Sequence, residues 1–263
     1  YLSTRRCGIE PFEIMIQIKN PEQIKAMKEA GRITAEGMEL AIENVREGVS
    51  TKHLDKIIRE YYEKCGARPS FLHYGGFPAS ACISVNDEVI HGIPSPSRIL
   101  QEGDIVKIDV GACYHGYHGD MARTIAVGKV SDEAKLLIEV TKQSFYEGIA
   151  QLKPGNRLGD LGHAVDSYVK KFGFSTVKRY VGHGIGQAVH ESPDVPNYGT
   201  PGRGVRVCTG MVIAVEPMVN VGTDEVRELS DGWTVKTADG KLSAHYENTV
   251  AILPDGVLIL TQV

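Results

Sequence analysis

Apolar residues recur at helical spacing over residues 21–46, where Ile24, Met27, Ile33, Met38, Ala41, Ile42 and Val45 share one face. REGVS breaks this stretch. Leu54, Ile57, Ile58 and Tyr61 restore the period over 51–65, with Thr51 near the start. Strand-like runs follow: SACISV (80–85), DIVKIDVGA (104–112) and ARTIAVG (122–128). The same order then returns. Residues 132–152 read as helix, PGNR breaks them, and 157–172 read as helix again. The predicted strands after that are KRYVG (178–182), MVIAVEPMV (211–219), WTVKT (233–237), SAHYENTVAIL (243–253) and GVLIL (256–260).

At a constant offset of 107, Ile42 matches Ile149 and Gly48 matches Gly155. Leu54, Tyr61, Lys64 and Gly66 likewise match Leu161, Tyr168, Lys171 and Gly173. Each match is one residue, and chance similarity between two helix–turn–helix stretches competes with a true repeat. Taken together they suggest two related halves. Paired helices with mostly antiparallel strands point to an α+β fold. No linker or low-complexity tract divides residues 15–263, which reads as a single domain.

The 263 residues suffice for a sizeable core, and 42% apolar with 24% charged residues is ordinary for a globular chain. A net charge of -4 argues against a nucleic-acid binder. No apolar run approaches the roughly 18 residues of a spanning helix. The start YLSTRRCGIEPFEI lacks the apolar core of a secretory signal, and the pattern changes at Met15. Residues 1–14 are therefore expected to be a short extension or an expression remnant. Cys7, Cys65, Cys82, Cys113 and Cys208 are odd in number and form no CxxC pair. Free thiols and a cytoplasmic location are the simpler expectation.

Several polar residues sit where the pattern does not ask for them. Asp109 interrupts an apolar strand, and Asp120 follows a Gly-rich turn. If those segments pair as a hairpin, the two carboxylates can face each other. The plain alternative is a strand-end residue and a solvated turn residue. His183 lies among Gly182, Gly184 and Gly186, with His190 seven residues on. Glycines there clear space around the imidazole. Glu216 interrupts MVIAVEPMV, which otherwise reads as a buried strand; a salt-bridged core glutamate is the competing explanation. Glu247 shares a strand face with His245 and Thr249, where an ordinary exposed face competes. As a set, four carboxylates and one imidazole would balance two divalent cations. Two such ions sharing a water promote hydrolysis.

HGIP at 91–94, Asp109 and Asp120 eleven residues apart, GHGIG with a following histidine, AVEP and the late Glu247 resemble type I methionine aminopeptidases. The resemblance runs from about residue 16 to 261, and DGWTVKT narrows it within the pita-bread metallopeptidases. It implies a pita-bread fold of two pseudo-symmetric halves around a mostly antiparallel sheet. It also implies two divalent ions, of cobalt, manganese, iron or zinc. Asp109 would chelate one ion, Asp120 and Glu247 would bridge the pair, and His183 and Glu216 would complete the other shell. Glu216 would also serve the attacking water as general base. His91 would sit near the scissile amide, and His190 would bond the substrate carbonyl and its oxyanion. The family's methionine pocket maps onto Phe71, Tyr74, Phe77, Cys82 and Trp233. One departure is Val189, where some relatives place phenylalanine, which implies a roomier pocket or one filled by another side chain.

The implied reaction is removal of initiator methionine from nascent chains, with a small second residue preferred. A monomer without membrane or nucleic-acid partners and a transient association with the ribosome are implied as well. No large domain of the prolidase type stands ahead of the candidate ligands. No long insertion of the type II kind separates Glu216 from Glu247. A short, bacterial- or organelle-like type I enzyme is therefore expected. Xaa-Pro cleavage and a non-catalytic binding protein of the same fold are the competing functions.

Overall fold

The computed structural model describes residues 16–263, so residues 1–14, read above as an extension, and Cys7 lie outside the described residues. The first half runs α1 (Pro21–Asn44), α2 (Thr51–Lys64), β1 (Arg68–Pro69), β2 (Ala81–Val85), β3 (Glu88–Ile90), β4 (Ile105–Tyr114) and β5 (Tyr117–Ala126). The second runs α3 (Asp132–Ile149), α4 (Leu158–Lys170), β6 (Ser175–Thr176), β7 (Gly182–Gly184), β8 (Glu191–Val195), β9 (Val212–Val215) and β10 (Met218–Asn220). It continues through β11 (Val226–Glu228), β12 (Val235–Thr237), β13 (Ser243–His245), β14 (Glu247–Leu253) and β15 (Gly256–Ile259).

The helices start where side chains can satisfy their free N–H groups. Asn20 and Gln23 form a reciprocal capping box ahead of Pro21. Ser50 and Ser131 accept from the third residue of α2 and α3. Three strand expectations need correction, one of them the run at 243–253, which breaks at Tyr246 into β13 and β14. KRYVG pairs only from Gly182 onward. Residues 178–180 instead turn their side chains outward, with Lys178 on Asp224 and both Arg179 and Tyr180 on Glu228. The run at 211–219 is two strands, broken at Glu216–Pro217, because proline cannot donate to a ladder.

The main sheet orders β1-β4-β5-β14-β9-β7-β8, with β2 also on β4 and β15 on β14. All of its pairings are antiparallel. The repeat is real and is carried by register. Arg68 pairs with Cys113 and Pro69 with Ala112. The residues at the same offset, Ser175 with Asn220 and Thr176 with Val219, pair identically. Gly48 and Gly155 both turn with positive φ, and so do Gly66 and Gly173. These turns favour glycine in both halves because only it reaches that region without strain. The halves meet where β5 pairs with β14 at the middle of the sheet.

The two faces of this sheet differ. Val106, Ile108, Val110 and Met121 pack under Met38, Leu54 and Ile58 of α1 and α2. Ile213, Val215, Val250 and Ile252 pack in the same way under Phe145 of α3 and Leu161 and Val165 of α4. Helices thus cover one face, and the intervening residues of each strand point to the other. No helix among the described residues is long and apolar enough to cross a membrane.

A buried ion pair ties the first described segment to the opposite half. Lys19 Nζ lies 2.5 Å from Glu191 Oε2, with side-chain exposures of 4% and 7%. The other oxygen of Glu191 accepts from the backbone N–H groups of Gln187 and Ala188, bracing the turn before His190. Lys19→Met leaves this carboxylate buried with two backbone N–H partners and no cation. It is expected to cost about 3 kcal/mol, read by urea denaturation.

Candidate active site

The uncovered face of the sheet is where the unexpected polar residues converge. Cys82 pairs with Asp109, Asp109 with Ala122, and Ala122 with Glu247, so these four form one row across β2, β4, β5 and β14. Residues directly opposite each other share a face, and so do residues two apart on one strand. Asp120, two before Ala122, therefore joins the row. The expected hairpin of β4 and β5 does bring the two aspartates to one side. A second row, His183–Ala214–Thr249, crosses β7, β9 and β14. Thr249 is two past Glu247, and Glu216 is two past Ala214. Register alone thus puts Asp109, Asp120, His183, Glu216 and Glu247 on one face.

The glycines around His183 act by close approach. A Cβ on Gly182 would meet the Ala214 carbonyl oxygen at 2.4 Å, and one on Gly184 would meet that of Ser192 at 2.3 Å. Side chains there would push β7 out from between β8 and β9. His183 Nδ1 lies 2.9 Å from the Gly184 carbonyl oxygen and donates to it. That leaves Nε2 as an acceptor, facing Asp120 Oδ2 at 3.7 Å and Glu216 Oε1 at 3.6 Å.

A 170 Å³ cavity opens on this face. Its lining contains every residue named as a site candidate: Asp109, Asp120, His183, Glu216 and Glu247, Phe71, Tyr74, Phe77, Cys82 and Trp233, and His91 and His190. No Lys or Arg lines it. Phe71, Phe77, Cys82 and Val189 are buried together in one apolar cluster, with Trp233 against it. Val189 is 2% exposed there and forms part of the packed wall. Phe77 meets Trp233 edge-on, ring centres 5.1 Å apart. His190 Nδ1 is 2.9 Å from Tyr74 Oη, and its ring centre is 4.2 Å from that of His183. His91 holds a left-handed backbone, φ 59°, unusual for a residue with a Cβ. Gly92 beside it runs so close to β2 that a Cβ would reach the Ile83 carbonyl oxygen at 2.3 Å.

The electrostatics follow from burial. Loss of water raises the Asp109 carboxyl to about 7 and Glu216 to about 8. Burial first, then the neighbouring carboxylates, lifts Asp120 and Glu247 well above the ordinary range. The same loss of water lowers His91 to about 4 and His183 to about 3. Asp109 Oδ1, Asp120 Oδ1 and Glu247 Oε1 are buried with no hydrogen-bond partner. Buried acceptors gathered without cations are costly unless something positive joins them. The donor set therefore fits divalent cations. Two groups converge closely enough to share an ion: Asp120, His183 and Glu247, and Glu216, His245 and Glu247. Asp109 lies outside both close groups.

Two contributors escaped the sequence reading. His245 was noticed only as a neighbour on the Glu247 strand face. Asp231 entered only as part of DGWTVKT, with no role of its own, yet its carboxylate accepts from the N–H groups of Trp233 and Thr234 and from the Thr234 hydroxyl. It pins the backbone that presents Trp233. The Asp–Gly–Trp–Thr spacing carried that signal, because an aspartate often accepts from N–H groups two and three residues on.

The shifts give a pH dependence for the metal-free protein. A raised carboxylate binds its proton more tightly when folded, so its stabilisation is lost as pH climbs through the folded value. Between about pH 4 and 6.5 the depressed histidines act in the opposite sense. Above about pH 6.5 the carboxylates dominate. Lys107, lowered to about 7 by burial, offsets one proton at most. Chelator-treated protein is expected to lose stability from about pH 6.5 to 8, by roughly 1.4 kcal/mol per pH unit for each proton in excess. Saturating divalent metal should flatten that slope in parallel denaturation curves.

The profile of metallopeptidase family M24 matches residues 25–254. The chain belongs to metallopeptidase family M24. It is 53% identical to the methionine aminopeptidase of Clostridium acetobutylicum, over 94% of this chain and 99% of that one. The methionine aminopeptidase structure from Thermotoga maritima superposes with a TM-score of 0.93 at 42% identity, covering 95% of this chain and all of that one. The prolidase of Pyrococcus horikoshii OT3 superposes at 0.76 with 26% identity, and the match covers 63% of that longer chain. The architecture is the pita-bread fold, two α+β halves around an antiparallel sheet, as these M24 neighbours share.

Proposed function

We propose that this M24 peptidase is a methionine aminopeptidase, removing methionine from the N-termini of peptides and nascent proteins with a small second residue. The observation that carries this reading is the single cavity that joins an aromatic wall to the carboxylate cluster. The wall of Phe71, Phe77, Cys82 and Trp233 suits an unbranched thioether, which gains sulfur–aromatic contacts. Asp109, Asp120, His183, Glu216 and Glu247 would hold two divalent ions, with Glu247 common to both convergent groups. When bound, such ions lower the pKa of water and polarise a carbonyl.

The chain's own groups do the rest. Glu216 is largely buried but lines the cavity, where it can take a proton from the attacking water and pass it on. Tyr74 Oη lies 2.9 Å from His190 Nδ1, and the tautomer in which Tyr74 donates leaves Nε2–H to donate to the scissile carbonyl oxygen as negative charge develops. His91, neutral at pH 7 and held in a strained backbone, is placed to bond the scissile amide and assist departure of the new amine. A nascent chain would enter by its N-terminus alone, which suits transient work beside the ribosome by a monomer in the cytoplasm.

The test is a side-by-side assay of Met-Ala-Ser and Xaa-Pro peptides under anaerobic conditions with Mn²⁺, Co²⁺ or Fe²⁺. Loss of methionine from the first, with little action on the second, is expected. Preferential Xaa-Pro hydrolysis would assign the chain to the prolidase branch instead.

A further inference from the structure

His245 stands at the end of β13, 1% exposed, two residues before Glu247. Neither of its ring nitrogens has a hydrogen-bond partner. A buried imidazole normally finds a partner for both, so two orphans on one ring require a reason. Nε2 lies 3.5 Å from Glu216 Oε2 and 3.8 Å from Glu247 Oε2. Both separations exceed the 2.7–3.2 Å usual for an N–H···O bond. They are near the ~3.4 Å between two donors that share an ion through bonds of about 2.1 Å at tetrahedral angles.

The other imidazole of the carboxylate cluster shows the same spacing. His183 Nε2 stands 3.7 Å from Asp120 and 3.6 Å from Glu216. His245 stands at matching distances from its own two carboxylates. Each of the two convergent groups offers one imidazole and two carboxylates, with Glu247 in both, and Glu216 stands between the two imidazoles. We infer that His245 is a sixth donor of the metal centre, its Nε2 directed at the ion that Glu216 and Glu247 hold. The inference rests on the two-ion reading above. His245 is not among the residues lining the substrate cavity, so it would reach the ion from the side away from the peptide.

A nitrogen donor in place of an oxygen changes metal preference. Imidazole suits Zn²⁺, Co²⁺ and Fe²⁺, whereas carboxylate and water suit Mn²⁺ and Mg²⁺. A centre with two imidazoles should favour the former group more strongly than a centre with one. Removing one imidazole should cost Zn²⁺ more than Mn²⁺.

The experiment loads the whole protein with Zn²⁺ and counts imidazole donors by X-ray absorption. Two per ion pair are expected in the unaltered protein and one in His245→Gln. Calorimetry should show one Zn²⁺ bound on the order of tenfold or more weaker in His245→Gln, with a smaller change for Mn²⁺. Nitrogen NMR of the unaltered Zn²⁺ protein gives an answer that does not depend on the variant folding, and an unprotonated Nε2 at His245 is expected. A protonated Nε2 would overturn the inference and make His245 a hydrogen-bond donor to the carboxylates. One imidazole per ion pair in the unaltered protein would overturn it as well. Failure of the unaltered protein to bind any divalent ion would instead overturn the two-ion reading, and this inference with it.

Discussion

Exchange of Glu247 for alanine is expected to lower kcat/KM for Met-Ala-Ser by at least about a thousandfold, roughly 4 kcal/mol of transition-state stabilisation. Glu247 is common to both convergent groups, so its loss removes a donor from each. A single-group residue such as Asp120 should affect one ion more than the other. The same change should make the metal-free protein more stable at pH 8. It deletes one of four carboxylates crowded on one face, whose burial and mutual repulsion already lift Glu247 well above its usual range. A functional residue that destabilises its own fold is the signature sought. Metal content by elemental analysis, steady-state kinetics, and urea denaturation after chelation read the three effects separately. Unchanged metal content with unchanged turnover would remove Glu247 from the centre.

His91→Ala is expected to lower kcat by about a hundredfold or more, within the usual range for a positioned general acid. Metal content should stay at the unaltered level, since His91 belongs to neither convergent group. KM should move little if the imidazole acts chiefly as the scissile bond breaks. The left-handed backbone at this position supports a functional role, because every residue with a Cβ is strained there and the chain keeps histidine where glycine would relieve the strain. Alanine keeps the Cβ and therefore the strain, so thermal stability should stay equal or fall slightly. A large fall in metal content, or a rise in KM with kcat intact, would place His91 in binding and not in chemistry.

Much of this was legible in the chain. The helix pairs and the principal strands follow from apolar periodicity. Asp109, Glu216 and Glu247 betray themselves by standing in apolar or strictly alternating strands. What could not be read was the register. Asp109 and Glu216 are themselves 107 residues apart, at the offset of the helix repeat, and occupy matching places in the two halves. Different residue types hide that match. The excursion through β11 and β12 then shifts Glu247 relative to Asp120 and ends the simple offset. His245 stayed hidden for a related reason. Alternation placed it beside Glu247, but only the break between β13 and β14 and the turn at Pro217 bring its ring to Glu216. Residues 178–180 misled because their β-compatible composition serves rim ion pairs in place of a ladder.

The most direct measurement follows turnover of Met-Ala-Ser against equivalents of divalent metal added to chelated protein, with bound metal counted in the same samples. Activity absent without metal and rising in step with occupancy of the carboxylate face is expected, with Glu247→Ala flat throughout. Full turnover by thoroughly chelated protein, or by Glu247→Ala at any metal level, would contradict the assignment of this face as the catalytic centre.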